Sequence, residues 1–321
     1  MLETNKKRKF DFSTLRRSNI LTPIVALLFI ITLLSILSPH FLTVSNMINV
    51  LRQVSIIAIV SVGMSYAILT GGIDLSVGAV VALSGVVTAI LLKNFNVNIY
   101  LSIAAGLAVG VISGATIGTM ISSKIKMPPF IAGLAMMSIV RGVALIITGG
   151  RPIYDLPSYF SFIGGGTLFK IPFPVIIMFV IYIIAFINLK FTKTGISFYA
   201  VGGNEEAARV AGINVRRIKI LAYIISGLAS AVAGVILASR VMVGESIAGF
   251  YYELDAIAAA VIGGIRMNGG EGSIWGTLIG ALIMGFLKNG LNLLNVSTYW
   301  QQVAIGVIIA GTIIFNLVKK S

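Results

Sequence analysis

Residues 99–121 read IYLSIAAGLAVGVISGATIGTMI, a stretch with no charged residue and with glycine at 106, 110, 114 and 118. A helix that crosses the hydrocarbon core of a bilayer needs about 20 mainly apolar residues, so this stretch has the length and composition of a crossing segment. Its glycines return at every fourth position, a spacing that lets helix backbones come close together. In lipid such packing must replace the apolar burial that holds helices together in water. Gly276 and Gly280 repeat the interval near the other end of the chain. The fold that follows is a tightly packed bundle of membrane helices.

Working outward, the same criterion marks segments at 20–37, 48–69, 75–92, 129–148, 172–189, 219–238, 253–265, 274–291 and 300–317. With 99–121 they make about ten spans, of which 253–265 is too short to cross comfortably. Placing the N-terminus in the cytoplasm puts 17 of the 24 Lys and Arg on the inner side. Only Lys93, Arg151, Lys170 and Arg240 fall outside, while Arg52, Arg141 and Lys288 lie within spans. Basic residues gather in cytoplasmic loops, so the expected architecture is an all-α polytopic bundle with both termini cytoplasmic. The apolar run after Arg17 ends without a small-residue cleavage site, which reads as a retained first helix rather than a signal peptide.

The composition agrees, with 57% hydrophobic residues, 11% charged and a mean hydropathy of +1.02. A water-soluble domain carries roughly a quarter charged residues. The net charge of +14 belongs to membrane topology and calls for no nucleic-acid partner. With no cysteine there is no disulfide, no thiolate nucleophile and no Cys-ligated metal site, and no cofactor is expected. The organisation expected is a basic cytoplasmic tail at 1–19, then one membrane domain at 20–321 with a long cytoplasmic loop at 190–218.

Two glycine-rich interruptions, Thr70-Gly71-Gly72-Ile73-Asp74 and Gly263-Gly264-Ile265-Arg266-Met267-Asn268-Gly269-Gly270, each separate a pair of apolar segments. They are either tight cytoplasmic turns or broken backbone lining a cavity. Charged groups inside a membrane are expensive and are functional candidates by default. Asp74 either caps the helix after it or faces the translocation path. Arg141 is either a structural ion-pair partner or a path residue. Asn289, Asn292 and Gln301 are amides suited to a polyol, or they join helices. Glu253 and Asp255 would favour the dipole of the segment they open, and Arg52 and Lys288 lie near enough to span ends to snorkel.

Within the long loop stands Gly202-Gly203-Asn204-Glu205-Glu206-Ala207-Ala208-Arg209-Val210-Ala211-Gly212. Asn204 can cap a helix, Glu205 and Glu206 suit its positive first turn, and Gly212 can stop it. That describes about two turns of helix outside the membrane, either a plain connector or a docking element.

Glu206-Ala207-Ala208, three residues and Gly212 resemble the loop by which permeases of ATP-binding-cassette importers seat on their ATPases, although Ile218-Lys219-Ile220-Leu221 lacks the proline that usually follows. Further stretches extend the likeness: Leu69-Thr70-Gly71-Gly72-Ile73-Asp74-Leu75-Ser76-Val77-Gly78, Tyr252-Glu253-Leu254-Asp255-Ala256-Ile257-Ala258-Ala259, Gly276-Thr277-Leu278-Ile279-Gly280-Ala281 and Asn289-Gly290-Leu291-Asn292-Leu293-Leu294. In that order they resemble the sugar permeases of ribose, xylose and arabinose importers, from about Leu37 to the C-terminus. The resemblance implies a bacterial inner-membrane permease subunit that carries a monosaccharide, ribose first. It implies as partners a second copy of the chain, a cytoplasmic ATPase at the 202–212 loop and an extracytoplasmic sugar-binding protein at 149–171 and 239–252. The chain itself has no phosphate-binding loop, since neither Lys193-Thr194 nor Lys320-Ser321 follows a Gly-x-x-x-x-Gly cradle.

An ion-coupled secondary transporter is the alternative, but it should carry carboxylates deep in several spans, whereas Asp74, Glu253 and Asp255 sit at segment boundaries. A membrane-embedded enzyme would be limited to Ser or carboxylate chemistry, with His40 in a short loop. No catalytic or metal-binding residue is assigned.

Overall fold

The computed structural model describes residues 21–123 and 127–318; the basic tail 1–19, Lys124, Lys126, Lys319 and Lys320 lie outside the described residues. All ten apolar segments are helices. They are α1 (Leu21–Leu37), α2 (Val44–Leu69), α3 (Val77–Lys93), α4 (Ile99–Ser122) and α5 (Pro129–Thr148), followed after a two-stranded hairpin by α7 (Phe173–Phe191). The later ones are α10 (Val215–Val241), α11 (Tyr252–Ile262), α12 (Ile274–Leu293) and α13 (Thr298–Val318). The hairpin is β1 (Thr167–Leu168) paired with β2 (Ile171–Pro172), and it follows a short helix α6 (Ser161–Gly165). Two further helices, α8 (Lys193–Gly203) and α9 (Glu205–Val210), occupy the long loop. The protein is thus an all-α polytopic membrane protein. Among the described residues six helices, α2, α4, α5, α7, α10 and α12, are long and apolar enough to cross a membrane, while α1 and α3 are apolar helices of 17 residues.

Local chemistry sets the helix ends. Thr43, Asn98, Thr192, Asn204 and Asn214 each accept a backbone N–H in the first turn of the helix that follows. Pro129 opens α5, and Gly149 closes it in the left-handed region at φ 60°.

The centre of the bundle is α10, packed on α4, α2 and α3. The Gly106–Gly118 row makes this possible: a methyl group on Gly110 or Gly114 would overlap the carbonyl of Gly227 or Tyr223, and one on Gly118 would sit 2.6 Å from Ile220 Cα. The same close approach recurs between α11 and α12, where Gly276 lies against Gly263 and Gly280 against Ala259. Backbone-to-backbone packing gains dispersion energy that lipid cannot supply.

Contacts across the bundle join helix ends in two sets. At one end Lys93 meets Asp155 at 3.4 Å, Ile153 bridges Gly244, Arg52 donates to the Gly165 carbonyl, and Asn46 and Asn289 exchange two amide hydrogen bonds of 2.9 Å. At the other end Leu69 accepts from Gly270 N–H at 3.0 Å and Tyr199 donates to the Gly272 carbonyl at 3.2 Å.

The connection from α10 to α11 does not stay at the first end. Gly244 packs on Ala89 of α3, but Gly249 packs on Gly78 and Val81. At 1.5 Å per residue, the eight positions from Ala89 to Val81 make a descent of about 12 Å. Helix α11 therefore starts inside the bundle, and its 11 residues extend only about 16 Å. A segment too short to span is a half-helix preceded by irregular backbone that dips into the protein.

Candidate functional site

The exposed end of the long loop is built on α9. Asn204 Oδ1 accepts from Ala207 N–H at 2.9 Å, and Glu205 and Glu206 occupy the first turn. At the far end Gly212 N–H donates to Arg209 O and Ile213 N–H to Ala208 O, a Schellman closure that needs the left-handed φ of 82° at Gly212. Arg209 bonds Glu206 at 2.6 Å and Glu205 at 3.0 Å. Lys219 reaches back from α10 to Glu205 at 2.5 Å, so the short helix is tethered to a long one. Ala208 turns inward and is buried, while Glu206 and Val210 are exposed. The result is a small, stiff, charged knob.

Behind it, α8 joins α9 to the bundle. Phe198 is fully buried and stacks edge-on against Tyr66 of α2, ring centres 5.0 Å apart, and Tyr66 Oη bonds Asn188 at 3.0 Å. Gly202 and Gly203 lie against the backbone of Leu69 and of Gly269–Gly270. The two glycine-rich interruptions and the end of α8 thus meet at one point. Burial pushes the Tyr199 phenol up, and its hydroxyl donates to the Gly272 carbonyl.

The polar residues singled out from the sequence at Asp74, Arg141, Asn289, Asn292 and Gln301 each have a partner within the protein. Asp74, fully buried between α2 and α3, accepts from Ser76 N–H at 2.9 Å and Ser76 Oγ at 2.6 Å through one oxygen, and from Ser226 Oγ of α10 at 2.7 Å through the other. It closes the turn into α3 and pins it to α10. Arg141 donates to the carbonyls of Ser246 and Ala248, at 2.7 and 2.8 Å, with its guanidinium over the Phe250 ring. Those carbonyls belong to the dip before α11, where no helix satisfies them, so Arg141 supplies what water cannot. Arg141 and Asp74 do not pair with each other; each holds a different break.

Asn289 is committed to Asn46, joining α12 to α2. Gln301 of α13 donates to Asn292 Oδ1 at 2.7 Å and to Val296 O at 2.9 Å. Lys288 does not snorkel: its ammonium bonds Asp255 of α11, whose side chain is 1% exposed. The pairing draws Lys288 inward, because a buried carboxylate needs a cation more than the cation needs the interface.

A family model described as the branched-chain amino acid transport system permease component matches residues 46–313. The chain belongs to this permease family. It is 44% identical over 301 residues to the ribose import permease protein RbsC of Escherichia coli (strain K12), covering 92% of this chain and 93% of that protein. It is 43% identical over 322 residues to RbsC of Bacillus subtilis (strain 168), covering 100% and 98%. It is 38% identical over 314 residues to the L-arabinose transport system permease protein AraH of E. coli (strain K12), covering 98% and 94%. No solved structure matches it.

Three elements of this permease were not read from sequence. One is α8: its Lys193–Gly203 stretch lies in a loop by charge, and only the i, i+3 spacing of Gly195, Phe198 and Val201, its buried positions, marks a helical face. The second is the Lys288–Asp255 pair, and the third is Asn46, which no local pattern connects with Asn289.

Proposed function

We propose that this permease carries ribose from an extracytoplasmic binding protein into the cytoplasm, driven by a cytoplasmic ATP-binding-cassette ATPase that seats on α9. The observation that carries the proposal is the knob itself, a capped, closed and tethered helix projecting from the bundle and joined to it through α8. Identity near 44% to ribose import permeases over nearly the whole chain supports the cargo.

Gly202, Gly203, Asn204, Glu205, Glu206, Ala207, Ala208 and Gly212 form the ATPase-facing element in this reading. Two copies of the chain enclose the path. The membrane domain runs from 20 to 321 behind the basic tail 1–19, and ten helices cross or enter the bilayer with both ends cytoplasmic. The two sets of contacts that join helix ends support this alternation, since each unites ends assigned to one side. Asp74, Arg141, Asn289, Asn292 and Gln301 stand beside the path as residues that hold its walls, each engaged within the protein.

Uptake of labelled ribose, measured in cells with and without the partner ATPase, tests the function. Uptake that requires the ATPase is expected; uptake that persists without it and follows the proton gradient refutes the proposal. The knob is tested separately. Glu206→Lys or Gly212→Val should lower ribose uptake by roughly tenfold or more, equivalent to about 1.4 kcal/mol of docking energy. The chain should stay in the membrane and ATP hydrolysis should continue, uncoupled. Undiminished uptake in both variants moves the docking site elsewhere.

A further inference from the structure

The junction behind α9 is made almost wholly of backbone. Gly202 lies against the Leu69 carbonyl so closely that a methyl group there would overlap it. A methyl on Gly270 would sit 2.6 Å from Gly203 Cα, and one on Gly269 2.8 Å from Gly71 N. Gly270 N–H donates to Leu69 O at 3.0 Å, and Tyr199 Oη to Gly272 O at 3.2 Å. The Phe198 ring, fully buried against Tyr66, fixes the same helix from its other side. Side chains can change rotamer and yield; backbone in direct contact cannot.

Beyond this junction the contacts stay equally close. The 263–273 loop leads into α12, and Gly263–Gly276 and Gly280–Ala259 hold α11 and α12 as one hairpin. The half-helix that begins inside the bundle is therefore reached from the knob by an unbroken series of close backbone contacts.

We infer that α8 is a strut: it passes displacement of the α9 knob through Gly202, Gly203 and Tyr199 to the 263–273 loop, and so to the α11–α12 hairpin. This deepens the importer reading and rests on it. Gly202 and Tyr199 are positioning residues here, acting through the loop and touching no sugar. The strut requires residue 203 and the 268–270 turn to keep their separation while the importer works.

The chain's lack of cysteine makes the test direct. Gly203 has open space where a side chain would go, and Asn268 is exposed. In the complete importer, Gly203→Cys and Asn268→Cys are joined by a short, reducible bifunctional thiosulfonate, and the linked peptide is confirmed by mass spectrometry. Ribose uptake that survives linkage is expected. Uptake abolished by linkage and restored by reductant overturns the strut, as does failure of the two thiols to link. In parallel, Gly202→Ala should cut uptake at least tenfold while ATP hydrolysis continues, and Gly142→Ala on α5, where nothing lies within 4 Å of a methyl group, should change neither. Normal uptake by Gly202→Ala also overturns the strut, and if that variant fails to reach the membrane the linkage result decides. Loss of ATPase-dependent ribose uptake in the unsubstituted chain would instead overturn the importer reading.

Discussion

Replacing Lys288 by Met lowers the stability of the detergent-solubilised protein by about 3–5 kcal/mol, the usual cost of leaving one partner of a buried ion pair without its counter-charge. Asp255 is the group left behind. It is 1% exposed, and its Oδ1 is already without a hydrogen-bond partner among the described residues, so loss of the Lys288 ammonium removes the bond its other oxygen makes. Because Asp255 lies in the first turn of α11, the helix N-terminus eases the loss only in part. The double variant Lys288→Met/Asp255→Leu should recover most of the loss, since a buried pair is readily replaced by apolar groups of similar volume. Denaturant titration of the four proteins gives the coupling energy. A Lys288→Met protein as stable as the parent would mean that the two groups do not meet.

Gly110→Ala should have an effect of similar size by another route. Its new methyl would overlap the Gly227 carbonyl and force α4 and α10 apart, and overpacking of this kind costs about 1–3 kcal/mol even where neighbours relax. Here both neighbours are backbone at the centre of the bundle, so the upper part of that range is expected, together with less folded protein in the membrane. Gly142→Ala on α5 is the control. Nothing lies within 4 Å of a methyl group there, and alanine should stabilise the helix by about 0.5–1 kcal/mol. Thermal unfolding of both variants in one detergent separates the cases; equal shifts would show that α4 and α10 are not in backbone contact.

The ten helices were legible because lipid demands long apolar runs and closed backbone hydrogen bonding, and both demands leave a mark in every local window. The α9 knob was legible for a different reason: Asn204, Glu205, Glu206 and Gly212 are cap and dipole residues whose partners lie within a few positions. What escaped depends on residues far apart in the chain. The dip before α11 is satisfied by Arg141, 105 positions from Ser246, and the Asn46–Asn289 exchange spans 243 positions. Arg141 was visible as an anomaly, a charge in mid-span, but whether it served an ion pair or the path could not be decided while its carbonyl partners were unknown. The polar residues proposed for the path share that origin: composition singled them out, and the structure gives each a partner.

The half-helix also bears on how lipid acts on this permease. Helices that traverse the whole bilayer must match its thickness, and a mismatch costs fractions of a kcal/mol per ångström, relieved by tilting. With 26 and 27 residues, α2 and α10 are subject to that adjustment. Helix α11, about 16 Å long and starting within protein, has no bilayer thickness to match. Shortening or lengthening the acyl chains therefore re-angles the long helices around an α11 that has no mismatch of its own to relieve.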